Sequence, residues 1–284
     1  QHGSLDEANR GFVDALKERG YGPDKVEIEQ ENAQGDQSNL KTIVSRFKAE
    51  KPKLICAIAT PAAQAAANEI KDIPIVGTAI TDYTSAKLVQ NDERPGGNVT
   101  GVSDFAAMDA QMELAAKLIP QAKHVGLIYC SSEVNSEVQA NQMKDYCKKH
   151  DLAVEERTVN NVNDIQQVAE SLIGKVDYIY VPTDNTLASS IPTLMKITDA
   201  NKIPVIVGAD IMAKDGALAA LSVDYYRLGK QTGELAADIL DGKVKPETSP
   251  IQHQKDYTIV INKQDAEILG LTIPEEIAKK ANMV

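Results

Sequence analysis

Apolar residues Leu5, Ala8, Phe12, Val13, Ala15 and Leu16 recur at three- and four-residue spacing, which predicts a helix over 5–19 that Gly20 stops. Residues 25–31 then alternate in the two-residue period of a strand, and Leu40, Ile43, Val44 and Phe47 restore the helical period over 38–49. Residues 54–59 form a near-continuous apolar run, the kind of strand that a parallel sheet buries on both faces. The unit repeats as helix 62–70, strand 73–78, helix 85–89 and strand 98–102, followed by helix 108–118.

A second series begins after Pro120: strand 125–129, helix 133–150, strand 153–158, helix 165–173, strand 178–181, helix 189–201 and strand 205–207. A short strand at 218–222 and a helix over 228–240 follow. The chain closes with a strand running into Asn262, a helical turn ended by Gly270 and a last helix opened by Pro274. Alternation of β and α in both halves predicts the α/β class, with two Rossmann-like doubly wound lobes built on parallel sheets. At 284 residues the chain is long enough for two such cores.

In open α/β sheets, ligands bind beyond the carboxyl ends of the strands, where loops gather and helix N-termini point free N–H groups. Here those loops are rich in small polar residues: Thr60-Pro61-Ala62, Thr78-Ala79-Ile80-Thr81-Asp82, Ser131 with Asn135, Thr183-Asp184-Asn185, and Gly208-Ala209-Asp210. Any one hydroxyl among them, Thr60 or Thr81 for example, has an ordinary alternative role as a helix cap. Five polar strand ends from both halves make a cleft between lobes the economical expectation. The chemistry suits an amino acid. Hydroxyls and helix-start N–H groups near Thr60 and Thr78 to Thr81 would hold an α-carboxylate, while Asp184 and Asp210 would hold an α-ammonium.

Composition narrows the alternatives. The formal charge of −11, without a basic block, is opposed to a nucleic-acid surface. The three cysteines, Cys56, Cys130 and Cys147, match no zinc spacing and read as free thiols. No apolar run has the length of a membrane span, and no signal-peptide pattern opens the chain, so a mature, trimmed form is expected. Gly96-Gly97-Asn98 lacks the spacing and lysine of a phosphate loop, and turn chemistry accounts for its glycines. His124, His150 and His253 are scattered and read as surface or structural residues. No nucleophile, base and oxyanion set can be assembled, so an enzyme is not expected.

Several motifs together resemble one family: Gln1-His2 with Leu5-Asp6 and Gly11-Phe12, Thr60-Pro61-Ala62-Ala63-Gln64, Ile80-Thr81-Asp82, Gly96-Gly97-Asn98-Val99-Thr100-Gly101, and the stretch from Tyr257 to Ile277. They resemble the ABC transporter substrate-binding proteins of the tryptophan/tyrosine type. The resemblance implies a type I periplasmic-binding-protein fold with three crossovers, near Ser103, Tyr225 and Gln254. Lobe 1 would then be 1–103 with 226–253, and lobe 2 would be 104–225 with 254–284. It also implies a central strand just ahead of Gln1.

Functionally, the resemblance implies an extracytoplasmic receptor that closes on an aromatic amino acid and delivers it to ABC permease subunits. A monomer is expected, without cofactor, metal or nucleic acid, and touching the membrane only through a lipid anchor outside this sequence. Carried onto this chain, the contacts would be His2, Thr60, Ala62, Thr78, Ala79 and Thr81 in the first lobe, and Tyr129, Ser131, Asn135, Asp184, Asn185 and Asp210 in the second. Tyr129, Phe105, Tyr83 and His2 are the candidates for stacking on a ring. Tyr83 stands where many relatives carry proline, which implies a different pocket rim. Branched-chain amino acids, purines and sugars are alternative ligands. A transcriptional-regulator core shares the architecture, but it would need a helix-turn-helix and a basic face.

Overall fold

The computed structural model describes residues 2–284. It divides into two compact units, one made of residues up to Phe105 together with Asp224–Lys255, the other of Ala106–Val223 together with Asp256–Val284.

The first unit carries the strands β1 (Ile55–Ile58), β2 (Ile75–Ile80), β3 (Val99–Ser103) and β9 (Gln252–His253), ordered β1-β2-β3-β9 and all parallel. All six residues of β2 are buried, as its central place requires. Its alternate residues serve opposite faces. Ile75 packs with Val44, Ala63 and Ala66 from α2 (Gln37–Glu50) and α3 (Thr60–Glu69), and Val76 packs with Phe12, Leu16, Leu235 and Ala236 from α1 (Gly3–Glu18) and α10 (Tyr225–Leu240).

Helices α1 and α10 approach to backbone contact because glycines face each other's chain. A Cβ on Gly229 would lie 1.9 Å from the Ala8 carbonyl oxygen, and one on Gly11 would lie 2.1 Å from the Tyr226 carbonyl oxygen. Gly233 meets Phe12 in the same way, at 2.6 Å.

Two expectations fail in this unit. Residues 25–31 join no ladder among the described residues, although Val26 and Ile28 are half-buried. Alternation satisfies the packing half of a strand and leaves the hydrogen-bonding half to a neighbour. Residues 85–89 form a turn rather than a helix. Asp82 caps it by accepting from Ser85 N at 2.8 Å, and Lys87, at φ 58°, closes it in the left-handed region.

The second unit is a seven-stranded sheet in the order β11-β10-β8-β7-β6-β4-β5. Its parallel core is β4 (His124–Cys130), β5 (Ala153–Val159), β6 (Tyr178–Val181), β7 (Val205–Val207) and β8 (Ala219–Ser222). Helices α4 (Met108–Leu118) and α5 (Val134–Lys149) cover one face through Met112, Leu118, Met143 and Cys147. Gly126 on β4 leaves room on the other face for Ile179 and Leu172.

The wholly parallel sheet predicted for this half is corrected at its edge. Strand β10 (Thr258–Ile261) runs antiparallel to β8, with Thr258 opposite Ser222. The chain leaves the unit just past Ser222 and returns just before Thr258, so the re-entering strand starts at the end where β8 stopped. A final strand, β11 (Asn282–Met283), pairs parallel to β10. Between them α11 (Lys263–Leu269) is capped by the Asn262 side chain and ends at Gly270, φ 69°, and Pro274 opens α12 (Glu275–Ala278), as the sequence pattern predicts.

The α1–α10 contact yields a test. In an exposed helix Gly→Ala gains roughly 1 kcal/mol of propensity. At Gly229 the added methyl meets backbone that has no rotamer with which to give way, so Gly229→Ala is expected to destabilise by about 2 kcal/mol net. Gly22→Ala, with nothing within 4 Å, is the neutral control. Urea denaturation of the two variants checks the contrast.

Candidate functional site

Each unit gathers its polar side chains at the carboxyl ends of its parallel strands. In the first unit, β1 ends at Ala59, whose φ of 76° turns the chain sharply into α3. Ala59 N donates to the Thr78 carbonyl at 3.0 Å, which ties the β1 and β2 ends together. Strand β2 then bulges: its register on β3 shifts between Gly77 and Ile80, and Ala79 sits at φ 55°. Gly101 permits this, because a Cβ there would lie 2.1 Å from the Gly77 carbonyl oxygen.

Thr60 and Thr81 are buried and cap no helix. Thr78 is fully buried, and its hydroxyl has no hydrogen-bond partner. Ala62 is half-buried in the first turn of α3. His2 is half-buried at the N-cap of α1, where its carbonyl accepts from Leu5 N, and Gln1 lies outside the described residues.

Beside Thr81 lies a residue the sequence reading passed over, Asp104. It is 4 % exposed, and its Oδ2 accepts from the Tyr225 hydroxyl at 3.0 Å while Oδ1 has no partner. Burial pushes its carboxyl up to about 6, with the Tyr225 and Thr81 hydroxyls holding the rise back. The signal was present, since Asp104 is the polar residue directly after β3. It was hidden by the expectation that the first unit's sheet ends there.

In the second unit the organising group is Glu133, also unanticipated, at the N-cap of α5 and 5 % exposed. Its carboxylate accepts from Asn185 N at 3.0 Å, Asn185 Nδ2 at 2.6 Å, Thr186 N at 2.9 Å and Thr186 Oγ1 at 2.8 Å. The two backbone donors are free N–H groups at the start of α7 (Asn185–Ala188), so Glu133 acts as an anion at a helix N-terminus, with two side-chain donors beside them.

Asn135 donates to the Thr183 carbonyl at 2.9 Å and Gln139 accepts from Thr183 N at 2.6 Å, while Asn135 Oδ1 and Gln139 Nε2 are buried without partners. Gly208 lets the β7 loop close on Thr183, since a Cβ there would lie 2.6 Å from Thr183 N.

Several candidate contacts prove to be structural. Asp184 caps α7 by accepting from Leu187 N at 2.8 Å, and its other oxygen accepts from Cys130 N at 2.7 Å. Both oxygens are therefore committed to backbone, and burial with the nearby Glu133 charge raises its carboxyl to about 7. Asp210 is ion-paired to Lys214 at 2.5 Å. Neither matches the ammonium partner predicted for it.

Tyr129 packs in the core with residues of α5 and donates to Glu156 at 2.7 Å. Tyr83 is fully buried, donates to the Val102 carbonyl at 3.2 Å and fills the space that Gly77 and Gly101 leave, so it offers no stacking face. Ser131 is exposed and bonded to Asn160, and Phe105 is half-buried. Asn185 donates both its backbone and amide N–H to Glu133.

Of the histidines, His124 pairs with Asp177, His150 stacks on Tyr146 and His253 lies by Asp92. Among the described residues no cluster of three metal-ligating side chains occurs, and no helix is long and apolar enough to cross a membrane. All three cysteines are free.

Two α/β units, each presenting buried, partly unsatisfied polar groups at its strand ends, define a binding-protein class. The ABC transporter substrate binding protein family model matches residues 1–284, and this chain belongs to that family. It is 43% identical over 272 residues to a tyrosine-binding protein of Clostridioides difficile, covering 95% of this chain and 79% of that one.

Among solved structures, an ABC domain in complex with L-Trp from Streptococcus pneumonia superposes with a TM-score of 0.96 at 41% identity, covering 100% of this chain and 96% of that one. A ligand-free, open substrate-binding protein with adhesive properties from Clostridium difficile gives a TM-score of 0.77 at 41% identity with the same coverage. A leucine-binding protein from Thermotoga maritima, at 14% identity and a TM-score of 0.63, shares the type I periplasmic-binding fold.

Glu133→Gln replaces one accepting oxygen by a donor that faces other donors. It is expected to cost about 2 kcal/mol of second-unit stability and to speed amide exchange at Asn185 and Thr186. Denaturation with residue-resolved hydrogen exchange checks this, and unchanged protection at both amides would remove Glu133 from its organising role.

Proposed function

We propose that this chain is the extracytoplasmic receptor of an ABC importer and that its solute is an aromatic amino acid. The observation that carries the reading is the 41% identity, over the full chain, to the Streptococcus protein whose structure holds L-Trp. Similarity to a tyrosine-binding protein supports the same ligand class.

The strand-end chemistry agrees with it. A zwitterion needs donors for a carboxylate and acceptors for an ammonium, and a ring needs apolar room. The first unit offers Thr60, Thr78, Ala79 and Thr81, and the second offers Asn135 with its unpartnered Oδ1 beside Gln139. Buried polar atoms without partners are costly in a folded protein, and a bound solute relieves that cost. Capture and release are the whole task on this reading, with the permease subunits as partner, and the chain performs no chemistry on its solute.

Calorimetric titration with L-Trp, L-Tyr, L-Phe and L-Leu tests the proposal. At least one aromatic amino acid is expected to bind at least about tenfold more tightly than Leu, a difference of about 1.4 kcal/mol. Absence of binding by all three aromatic amino acids overturns the ligand class.

A further inference from the structure

Among the described residues, three acidic residues are buried at the carboxyl ends of parallel strands, Asp104, Glu133 and Asp184, and a fourth, Asp265, is buried in α11 after the antiparallel β10. Both oxygens of Asp184 are held by backbone N–H groups, and both oxygens of Glu133 by the start of α7. Asp104 differs, because its Oδ2 accepts from Tyr225 and the Thr81 hydroxyl stabilises its charged form, while Oδ1 is buried without a hydrogen-bond partner.

The position is well supported. Asp104 N donates to the Ile80 carbonyl at 3.3 Å, and Ser103 Oγ donates to the Thr81 carbonyl at 2.9 Å while accepting from Phe105 N at 3.1 Å. Tyr225, at the start of α10, fixes the carboxylate from the other side. The carboxylate is therefore anchored through Oδ2, and the Thr81 hydroxyl stabilises its charged form. A buried carboxylate oxygen that no protein donor reaches suits an N–H donor supplied from outside, and a cationic donor stabilises it most.

Resting on the amino-acid reading above, the geometry points to Asp104 as the residue that receives the ligand's α-ammonium group, in place of Asp184 and Asp210. Thr81, whose hydroxyl interacts with Asp104, and Thr78, whose hydroxyl is buried and unpartnered on β2, are assigned to the same backbone end of the ligand. Specificity for a free α-amino group then resides in the first unit. Tyr225 acts as a positioning residue that holds the carboxylate's orientation.

The experiment compares each aromatic amino acid with its desamino analogue: L-Trp with indole-3-propionate, L-Phe with 3-phenylpropionate and L-Tyr with 3-(4-hydroxyphenyl)propionate. The wild-type protein is expected to prefer the amino acid. In Asp104→Asn the amino acid is expected to bind at least about 30-fold more weakly while the analogue changes less than about threefold, so the preference collapses. Equal losses for both ligands, or no loss for either, overturn the assignment, and no binding by the wild-type protein overturns the ligand class instead.

A second measurement needs no variant. The groups that titrate and face Asp104 are Tyr225 from α10 and Tyr83 from the turn after β2, phenols that ordinarily ionise near 10. Below its raised value of about 6 the free protein carries a proton on Asp104 that an ammonium must displace. The wild-type preference for amino acid over analogue is expected to fall by up to about tenfold per pH unit under that value. A preference that stays flat from pH 8 to about 4.5 contradicts the assignment even if the variant does not fold.

Discussion

The first unit depends on two helices coming closer than side chains ordinarily allow. Between α1 and α10 the spacing is set by Gly11, Gly229 and Gly233, where one helix's backbone occupies the volume of the other's missing side chain. This contact fastens the segment that re-enters at Asp224 onto the N-terminal part of the unit. Surface pairs decorate it, Lys230 with Glu18 and Arg19 with Asp238, but exposed ion pairs contribute little. The apolar layer of Phe12, Leu16, Val76, Leu235 and Ala236 forms only if the glycines permit the approach. Tyr225, the first residue of α10, reaches Asp104 from the helix so placed.

Hydrogen-bond accounting separates the buried polar groups that are fully engaged from those that retain capacity. Asp184 and Glu133 have the composition of ligand residues and the partners of structural ones, because each satisfies backbone N–H groups that burial would otherwise leave orphaned. Thr78, Asp104, Asn135 and Gln139 are as deeply buried and retain unused capacity. Residue type cannot distinguish the two sets. Partners can.

This explains what was legible in the sequence. The helical period of 108–118 reappears as α4 and the apolar run at 178–181 as β6, because one-face and two-face burial write different periods. Residues 25–31 have the period of a strand but join no ladder among the described residues, and no local pattern reports a strand's neighbour. The antiparallel turn of β10 follows from where the chain re-enters, which is a fact of topology and not of residues 257–261. At the site, polar strand-end loops were recognisable from composition. The partners of Asp184 and Asp210, Cys130 N and Leu187 N for one and Lys214 for the other, emerge only in three dimensions. Tyr83 was misread for the same reason, since its ring fills the space opposite two glycines on strands it does not belong to.

The interleaving of the two units also bears on how the protein is made. The first unit is incomplete until Lys255 has been synthesised, and the second requires β10, which lies between Asp256 and Val284. As the chain emerges from the ribosome, neither sheet can gather its full set of strands until residues 252–261 have been made. A polypeptide that stays unfolded so long exposes its apolar strands to other proteins, and it also remains thin enough to thread through a narrow channel.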